Sequence, residues 1–267
     1  MQLSSGETLL WTARLLSLSL VLQTLELLHV RAAFGELGSF PWSVLRRDFA
    51  GLPAWSRRVL DALLPYPRFM AVLSLQLAAA LALPWAHGAL CPLLLLCTTL
   101  LVCVRFRGTY NGGSDSMTIV VLLALCVARA SQELSAGELW IRASLGYIAA
   151  QLLLSYSIAG VAKLRHESWR RGRALGLLVR VRQYYVPASV ERMLAVPGLA
   201  RCGGWLVLLF ELSAPLTLLV GPRFTVAWLA VGLSFHLLIA VTLGLNRFLW
   251  AWLAAYPALL FWSAQLR

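Results

Sequence analysis

The amino-acid chain has 267 residues, of which 60% are hydrophobic and 13% charged, and its mean hydropathy is +0.77. A soluble domain carries about 25% charged and about 45–50% apolar residues, so this composition excludes an ordinary water-soluble protein and indicates an integral membrane protein. The net charge of +12 does not predict nucleic-acid binding, because the basic residues lie between long apolar segments, where they match the anionic headgroups of a lipid bilayer.

Eight apolar segments predict an all-α fold, a polytopic integral membrane helical bundle of about eight transmembrane helices. A span requires about 20 apolar residues, with a range of roughly 17–25. The segments are 9–30, 69–84, 89–104, 116–130, 139–162, 204–221, 224–244 and 248–265. The second, third and fourth are short, and the second and third could instead form a re-entrant hairpin. No internal repeat or low-complexity linker divides the chain, so we expect a single domain over residues 1–267.

The first apolar segment lacks the features of a cleaved signal peptide. No basic residue precedes Arg14, and Gln23, Glu26 and His29 interrupt the apolar stretch. We therefore expect an uncleaved first transmembrane helix.

Two long loops, 31–68 and 163–203, separate some of these segments. Both mix arginines with Leu, Val and Trp at near-helical spacing. This pattern is typical of amphipathic helices that lie in the membrane interface. We therefore expect amphipathic interfacial helices in both loops.

The 23 lysines and arginines are distributed unevenly between the two sides of the predicted bundle. Most of them lie in the loops after the first, third, fifth and seventh segments, which all face the same side. Loops rich in Lys and Arg remain in the cytoplasm. The charge rule therefore predicts that both termini lie outside and that the loop after the fifth segment is cytoplasmic.

Three ionisable side chains lie within the predicted spans or at their ends, namely Lys163, Glu211 and His236. Such groups are costly in a bilayer and therefore indicate a functional site. Together they could supply the base, acid and orienting groups of a proton transfer, and a desolvated lysine can act as a base. Structural roles remain open: Lys163 could snorkel to the headgroups, Glu211 could clamp two helices, and His236 could be a packing residue.

Polar residues precede Lys163 at regular spacing on the same predicted helix. Tyr147, Gln151, Ser155, Ala159 and Lys163 follow one another at four-residue steps, which predicts a polar seam along one helix.

The region after Glu211 contains Pro215, which cannot donate the usual helical hydrogen bond to the Glu211 carbonyl. We therefore expect a kink at this point. An unpaired carboxylate inside the membrane is costly, so Glu211 is expected to be either protonated or paired.

The stretch TYNGGSDSMT precedes the fourth apolar segment. Gly112 and Gly113 allow backbone conformations that other residues avoid, and predict a tight turn or the close approach of a ligand. Ser114 or Ser116 can cap the following helix, and Asp115 suits its positive N-terminal end.

The sequence predicts neither a metal site nor a thiol–disulfide enzyme. Glu26 and His29 are three residues apart, but two ligands do not make a metal site. None of the five cysteines forms a C-x-x-C pair.

Four motifs of the chain together resemble the HTTM (horizontally transferred transmembrane) superfamily. YSIAGVAKLRHESWRRGRAL is similar to its Ala-Gly-x-x-Lys-Leu segment, and FELSAPLTLL to its acidic-Leu-Ser-Ala stretch. SFHLLIAVTLGLNRFLWAWLAAYPALLF resembles its Phe-His helix and the apolar helix after it. RFRGTYNGGSDSMT resembles the Arg-Asn…Gly-Gly-Asp turn of bacterial members. The similarity covers nearly the whole chain.

The superfamily includes vitamin K-dependent gamma-carboxylase, in which the lysine of the Ala-Gly-x-x-Lys segment is the base that activates reduced vitamin K. The resemblance implies that Lys163 is a catalytic base, that His236 lies near a quinone and that Glu211 organises the site. It implies a quinone or hydroquinone as the cofactor, in a protein of the bacterial cytoplasmic membrane. The candidate cofactor-binding residues are Tyr156, Gln151, Gly112, Gly113 and Asp115.

The resemblance and the charge rule disagree about the side of the membrane. In the carboxylase the side of this lysine opens to the lumen, which corresponds to a bacterial periplasm. The charge rule instead places the loop that follows Lys163 in the cytoplasm.

Three functions remain open at this point. The chain could be a gamma-carboxylase-like enzyme that acts on a quinone, another lipid-soluble substrate or a peptide. It could instead be a non-catalytic accessory or binding protein that serves a redox or peptide-maturation partner. A transporter is less favoured, because the sequence contains no two-fold repeat of the kind common in secondary transporters.

Overall fold

The computed structural model describes residues 3–107, 112–181 and 186–266, and over these residues the chain is helical with no β-strand. Two short 3-10 helices cover Arg31–Phe34 and Arg46–Phe49. The α-helices of the described residues are α1 (Ser5–His29), α2 (Trp42–Leu45), α3 (Ala54–Leu63), α4 (Arg68–Ala82), α5 (Leu90–Arg105), α6 (Gly113–Glu133), α7 (Glu138–Arg165), α8 (Glu167–Arg170), α9 (Ala174–Leu178), α10 (Ala188–Ala195), α11 (Pro197–Leu212), α12 (Leu216–Val220), α13 (Pro222–Leu243) and α14 (Asn246–Gln265).

The all-α prediction is confirmed, and every predicted apolar segment lies on helix. Seven segments correspond to one long helix each, namely α1, α4, α5, α6, α7, α13 and α14. The segment 204–221 is divided between α11 and α12. Long runs of apolar residues were therefore sufficient to locate the long helices within a few residues.

Four helices are long and apolar enough to cross a membrane: α1, α6, α7 and α13. The number rises to six if the bent pairs α3–α4 and α10–α11 each form one span. Helix α5 is apolar but has only 16 residues, about 24 Å at a rise of 1.5 Å per residue. That length is less than the hydrocarbon thickness of about 30 Å. The described residues thus contain four to six candidate spans, compared with the eight apolar segments.

The long apolar helices keep much of their surface exposed. In α13, only 28% of the most apolar stretch is buried within the protein, and in α7 only 33%. The exposed side chains of α13 include Val231, Leu238 and Val241. Water-soluble proteins rarely expose contiguous apolar surfaces of this kind. These helices are therefore compatible with a lipid surrounding.

The chain forms two compact units. The N-terminal unit consists of Ser5–Ser144, and the C-terminal unit consists of Leu145–Arg267 together with Met1–Ser4. Helix α7 begins in the first unit and continues into the second. The assignment of residues 1–267 to one family domain stays a prediction.

The N-terminal unit is built around packing of α1 on α4, of α4 on α5 and of α5 on α6. Its core continues into the loop 31–68, because Phe34, Trp42 and Leu64 from that loop are buried against Phe69 of α4. The long loop is therefore folded onto the bundle through its large apolar side chains.

A buried arginine at the end of α5 holds this loop in place. The Arg105 side chain is fully buried and donates hydrogen bonds to the backbone carbonyls of Leu64, Phe34 and Phe40. Its guanidinium lies 5.4 Å from the ring centre of Phe69, within the range of a cation–π interaction. Arg105 was not singled out from the sequence, since an arginine after an apolar run is usually an interfacial residue.

Short helices in both long loops meet the next helix at a sharp angle. In the N-terminal unit, α3 is bent by 79° from α4, and in the C-terminal unit α10 is bent by 98° from α11. No residue of α3 or α10 is buried. Both loops therefore contain exposed helices that run nearly perpendicular to the apolar helix after them.

Candidate functional site

Lys163 and Glu211 meet at the ends of two helices of the C-terminal unit. The Lys163 Nζ donates to both carboxylate oxygens of Glu211, at 2.6 Å from Oε1 and 2.8 Å from Oε2. The Glu211 side chain is only 4% exposed, whereas the Lys163 side chain is 24% exposed. Of the two states expected for Glu211, protonated or paired, the structure shows the paired one, and the partner is the lysine singled out from the sequence.

A glycine one turn before Lys163 permits this contact. A Cβ atom placed on Gly160 would lie 3.0 Å from the Leu212 side chain and 3.1 Å from the Cβ of Glu211. These distances are tighter than nearly all Cβ contacts in proteins, so glycine at this position lets α7 and α11 approach closely without displacing Leu212. The Ala-Gly-x-x-Lys spacing thus has a packing reason, because it places a close contact between α7 and α11 one turn before the lysine.

An indole ring lies on another side of the ammonium. The Lys163 Nζ is 5.4 Å from the ring centre of Trp169, which lies on α8. The contact falls within cation–π range. Lys163 is thus held between a carboxylate and an aromatic face, which restricts its side chain more than simple snorkelling would.

Two tyrosines and a histidine form a second group of polar side chains, here called the tyrosine–histidine cluster (Tyr156, His236 and Tyr256). The Tyr156 hydroxyl lies 2.7 Å from His236 Nε2 and 3.0 Å from the Tyr256 hydroxyl. The three residues come from α7, α13 and α14 and are each at most 6% exposed. Tyr156 is therefore the central member, since it bonds to both of the others.

Aromatic rings surround the tyrosine–histidine cluster. The ring of Tyr156 meets Phe210 and Trp228 edge-on, at centroid distances of 5.3 Å and 4.9 Å. The His236 ring lies 5.3 Å from that of Trp252. His236 Nδ1 is buried and has no hydrogen-bond partner among the described residues. Such an unsatisfied nitrogen costs about 1–3 kcal/mol, which marks it as a candidate contact for a bound group.

A glycine on α13 makes room for the Tyr256 hydroxyl. A Cβ atom on Gly232 would lie 2.6 Å from that hydroxyl oxygen and 3.1 Å from Phe210 Cζ. Gly232 stands one helical turn before His236. The same face of α13 therefore supplies both the histidine and the space for the second tyrosine.

The helix is interrupted directly before Pro215, where the sequence predicted a kink. Helix α11 ends at Leu212 and α12 begins at Leu216. The Ala214 N–H donates to the Glu211 carbonyl at 3.4 Å, which frees the carbonyl of Phe210. The Ser213 hydroxyl donates to this carbonyl at 2.9 Å, and the Trp228 indole N–H donates to it at 3.2 Å. The break in the helix is thus satisfied by Ser213 and by α13, next to the tyrosine–histidine cluster.

The tyrosine–histidine cluster is reached from α7 by Tyr156, which does not belong to the predicted polar seam of that helix. The Ser155 hydroxyl donates to the Leu152 carbonyl of its own helix at 2.8 Å. Tyr147 is 39% exposed, and Gln151 is half-buried. The fully buried face of α7 runs beside this seam through Leu152 and Tyr156.

The glycine turn at the start of α6 belongs to the N-terminal unit. Gly112 has φ = 54°, a left-handed conformation that favours glycine, while Gly113 and Asp115 form the first turn of α6. The expected serine cap is wrong, because Gly112 is the N-cap residue and has no side chain to accept a bond. The Ser116 hydroxyl instead donates to the Gly112 carbonyl at 3.2 Å. The preceding part of the motif, residues 109–111, lies outside the described residues.

Sequence reasoning missed Tyr256 as a member of the site. A tyrosine inside an apolar helix needs a partner for its hydroxyl, and this signal was present in SFHLLIAVTLGLNRFLWAWLAAYPALLF. Its position directly before Pro257 gave no indication of which helix it would face.

Metal chemistry has no support in the described part of the chain, where no three His, Cys, Asp or Glu side chains gather into a possible metal site. In comparisons with known proteins, no family model, no curated protein and no solved structure matched this chain.

Proposed function

We propose that the chain is an integral membrane protein whose C-terminal unit carries a proton-transfer site centred on Lys163 and Glu211. The observation that carries this proposal is the contact of the Lys163 ammonium with both oxygens of a buried carboxylate. Buried ionisable groups in apolar helices are retained at an energetic cost and usually mark function. The tyrosine–histidine cluster supplies further groups that donate and accept protons.

Within the ion pair, Lys163 can become a neutral amine by giving a proton to Glu211. Transfer of one proton along the 2.6 Å contact gives an uncharged amine and a protonated Glu211. An apolar environment favours such neutral forms over separated charges. The Lys163 amine then accepts a proton from an acidic O–H group of a substrate, which leaves a substrate anion beside the new ammonium. Lys163 acts as the base and Glu211 as the group that takes up its excess proton.

We propose a gamma-carboxylase-like enzyme of the HTTM type, acting on a quinone-class substrate, another lipid-soluble molecule or a peptide. Support comes from the order of the four motifs and from the contact between the lysine of one motif and the glutamate of another. A hydroquinone would supply the acidic O–H group. The unsatisfied His236 Nδ1 and the surrounding aromatic rings suit a flat ring with polar oxygens.

The test uses the purified full chain in nanodiscs with a reduced naphthoquinone. Mass spectrometry of retained lipids would identify a bound quinone, and oxygen uptake would report hydroquinone oxygenation. We expect Lys163→Met/Glu211→Gln to abolish uptake while the thermal unfolding temperature remains close to that of the native chain, because the pair is removed as a whole. Native-like uptake by this double variant would overturn the assignment of Lys163 as the base.

A non-catalytic accessory protein is the second candidate, and one observation favours it. Both oxygens of Glu211 accept hydrogen bonds from Lys163, so the pair could serve only to clamp α7 to α11. In that case the native chain would show no oxygen uptake and would bind a redox or peptide-maturation partner, and the reversed pair Lys163→Glu/Glu211→Lys would keep that binding. Oxygen uptake by the native chain that is lost in a stable reversed pair would instead favour the enzyme.

We further propose that all eight apolar segments are membrane-embedded, with α3 and α10 in the interface and both termini outside. The exposed apolar faces of α7 and α13 and the sharp bends before α4 and α11 support this arrangement. Reporter fusions at each terminus and after residue 178 would test it. Termini on opposite sides of the membrane would contradict the proposed topology.

A further inference from the structure

A cleft lined by arginines lies in the N-terminal unit, between the 3-10 helix Arg46–Phe49 and α3. It encloses a volume of about 560 Å³, within the range of small-ligand sites. Four guanidinium groups and one carboxylate line it, with Trp42 at its inner wall. This arginine cleft is defined by Arg46, Arg47, Arg57, Arg58 and Asp61.

The single carboxylate of the cleft is already satisfied. Asp61 Oδ2 accepts from Arg46 at 2.7 Å, and Asp61 Oδ1 accepts from the Trp42 indole at 2.8 Å. Among the described residues, no ion pair involves Arg47, Arg57 or Arg58. The arginine cleft therefore has an excess of positive charge, carried by three guanidinium groups without an ion pair in the described part of the chain. Guanidinium groups match phosphate oxygens in geometry as well as in charge.

The inner wall of the cleft is fixed by the core of the unit. Trp42 is 3% exposed and belongs to the same buried cluster as Phe34 and Phe69. Its ring stacks on Phe49 with a centroid distance of 5.9 Å. Because these rings hold the 3-10 helix, the arginines on it are presented from a structured backbone and not from a free loop.

Apolar side chains beside the cleft point to a membrane surface. Trp55, next to the cleft on α3, is 70% exposed, and Val44 and Val59 are each exposed by nearly half. Helix α3 is bent by 79° from the apolar helix α4. If α4 runs across the bilayer, α3 therefore lies along its surface, with apolar residues towards the acyl chains and arginines at headgroup depth.

We propose that the arginine cleft binds the phosphate-bearing headgroup of an anionic phospholipid. The three guanidinium groups without ion pairs supply the charge, and the exposed Trp55 and Val59 contact the acyl region. The volume exceeds what a lone phosphate needs, which favours a whole headgroup over free inorganic phosphate. This site is separate from Lys163 and Glu211 and does not depend on the proton-transfer function.

The experiment measures lipid binding to the purified full chain by native mass spectrometry and by nanodisc titration. Phosphatidylglycerol and cardiolipin are compared with phosphatidylcholine, and inorganic phosphate is added as a competitor. The test variant is Arg47→Gln/Arg57→Gln/Arg58→Gln. The matched control is Arg180→Gln/Arg201→Gln/Arg223→Gln, which removes the same charge from three exposed arginines of the C-terminal unit.

We expect the test variant to lose affinity for the anionic lipids by about 100-fold, because each of the three surface arginines contributes about fivefold. The control variant is expected to bind as the native chain does. An equal loss in both variants would show a general effect of net charge and overturn the proposal. Displacement of the lipid by low millimolar phosphate would assign the cleft to free phosphate and would also overturn it. The unfolding temperature of each variant separates loss of binding from loss of fold.

Discussion

Gly160 and Lys163 lie one turn apart on α7, and the absence of a side chain at the first allows the second to reach Glu211 on α11. A Cβ atom at Gly160 would be 3.1 Å from the Cβ of Glu211, whose carboxylate accepts hydrogen bonds from Lys163 at 2.6 Å and 2.8 Å. Helix packing and ion pairing are therefore coupled at one point. Changes at either residue should affect the other.

Removal of Lys163 alone should destabilise the protein. Lys163→Met leaves the buried Glu211 carboxylate without its partner, and breaking a buried pair from one side costs about 3–5 kcal/mol. The double variant Lys163→Met/Glu211→Gln should recover most of this loss. Thermal unfolding in detergent measures both. Equal destabilisation of single and double variants would contradict a coupled pair.

Gly160→Ala should also destabilise, by about 1–3 kcal/mol, because the added methyl group overpacks the contact between α7 and α11. Gly198 on α11 is the matched control, since a Cβ atom there meets nothing within 4 Å. Gly198→Ala should be neutral or slightly stabilising, as alanine favours helix. A comparable loss for both substitutions would argue against close packing at Gly160.

Tyr156→Phe should cost more stability than Tyr256→Phe. The Tyr156 hydroxyl bonds to two buried partners, whereas Tyr256 bonds to Tyr156 within the tyrosine–histidine cluster. Each buried polar group left unsatisfied costs about 1–3 kcal/mol. Tyr147→Phe, on the exposed side of α7, should change the unfolding free energy by no more than about 0.5 kcal/mol. Chemical denaturation in mixed micelles provides the comparison, and the reverse order of Tyr156 and Tyr256 would contradict the geometry.

Gly232→Ala should be rescued by Tyr256→Phe. The methyl group would lie 2.6 Å from the Tyr256 hydroxyl, and removal of that oxygen relieves the clash. We expect a favourable coupling energy of about 0.5–3 kcal/mol in a double-mutant cycle of unfolding temperatures. Additive effects of the two substitutions would show that the hydroxyl does not occupy the space beside Gly232.

Arg105→Lys should destabilise the N-terminal unit although the charge is kept. Lysine lacks the planar fork with which Arg105 reaches the carbonyls of Leu64, Phe34 and Phe40. Loss of these charged hydrogen bonds should cost about 3 kcal/mol or more in total. Arg107→Lys is the control, because Arg107 is exposed and pairs with Asp48 at the surface. Proteolysis of the loop 31–68 should increase in the first variant, and an equal increase in the second would contradict the role of Arg105.

Helix positions and the break at Pro215 could be predicted because their causes are local. Apolar runs mark the long helices, and a proline removes one hydrogen-bond donor wherever it stands. The need of Glu211 for a partner was also predictable, since burial of a charge is costly in any helix. The sequence did not identify that partner, because Lys163 was only one of several polar residues that could have reached Glu211.

Other features depend on residues that are distant in the chain. Tyr256 joins His236 through Tyr156, and Arg105 is buried only because the loop 31–68 folds over it. The arginine cleft likewise forms where a 3-10 helix meets α3. None of these contacts has a periodic signal in the sequence.

The sequence by itself determined the helical class, the apolar character and the approximate positions of the long helices, because these follow from side-chain chemistry and local hydrogen bonding. Only the tertiary structure decided that Lys163 pairs with Glu211 and that Tyr156 links His236 to Tyr256. These pairings depend on how closely helices approach each other. That approach is controlled by small residues such as Gly160 and Gly232, whose effect appears only when a second helix packs against them.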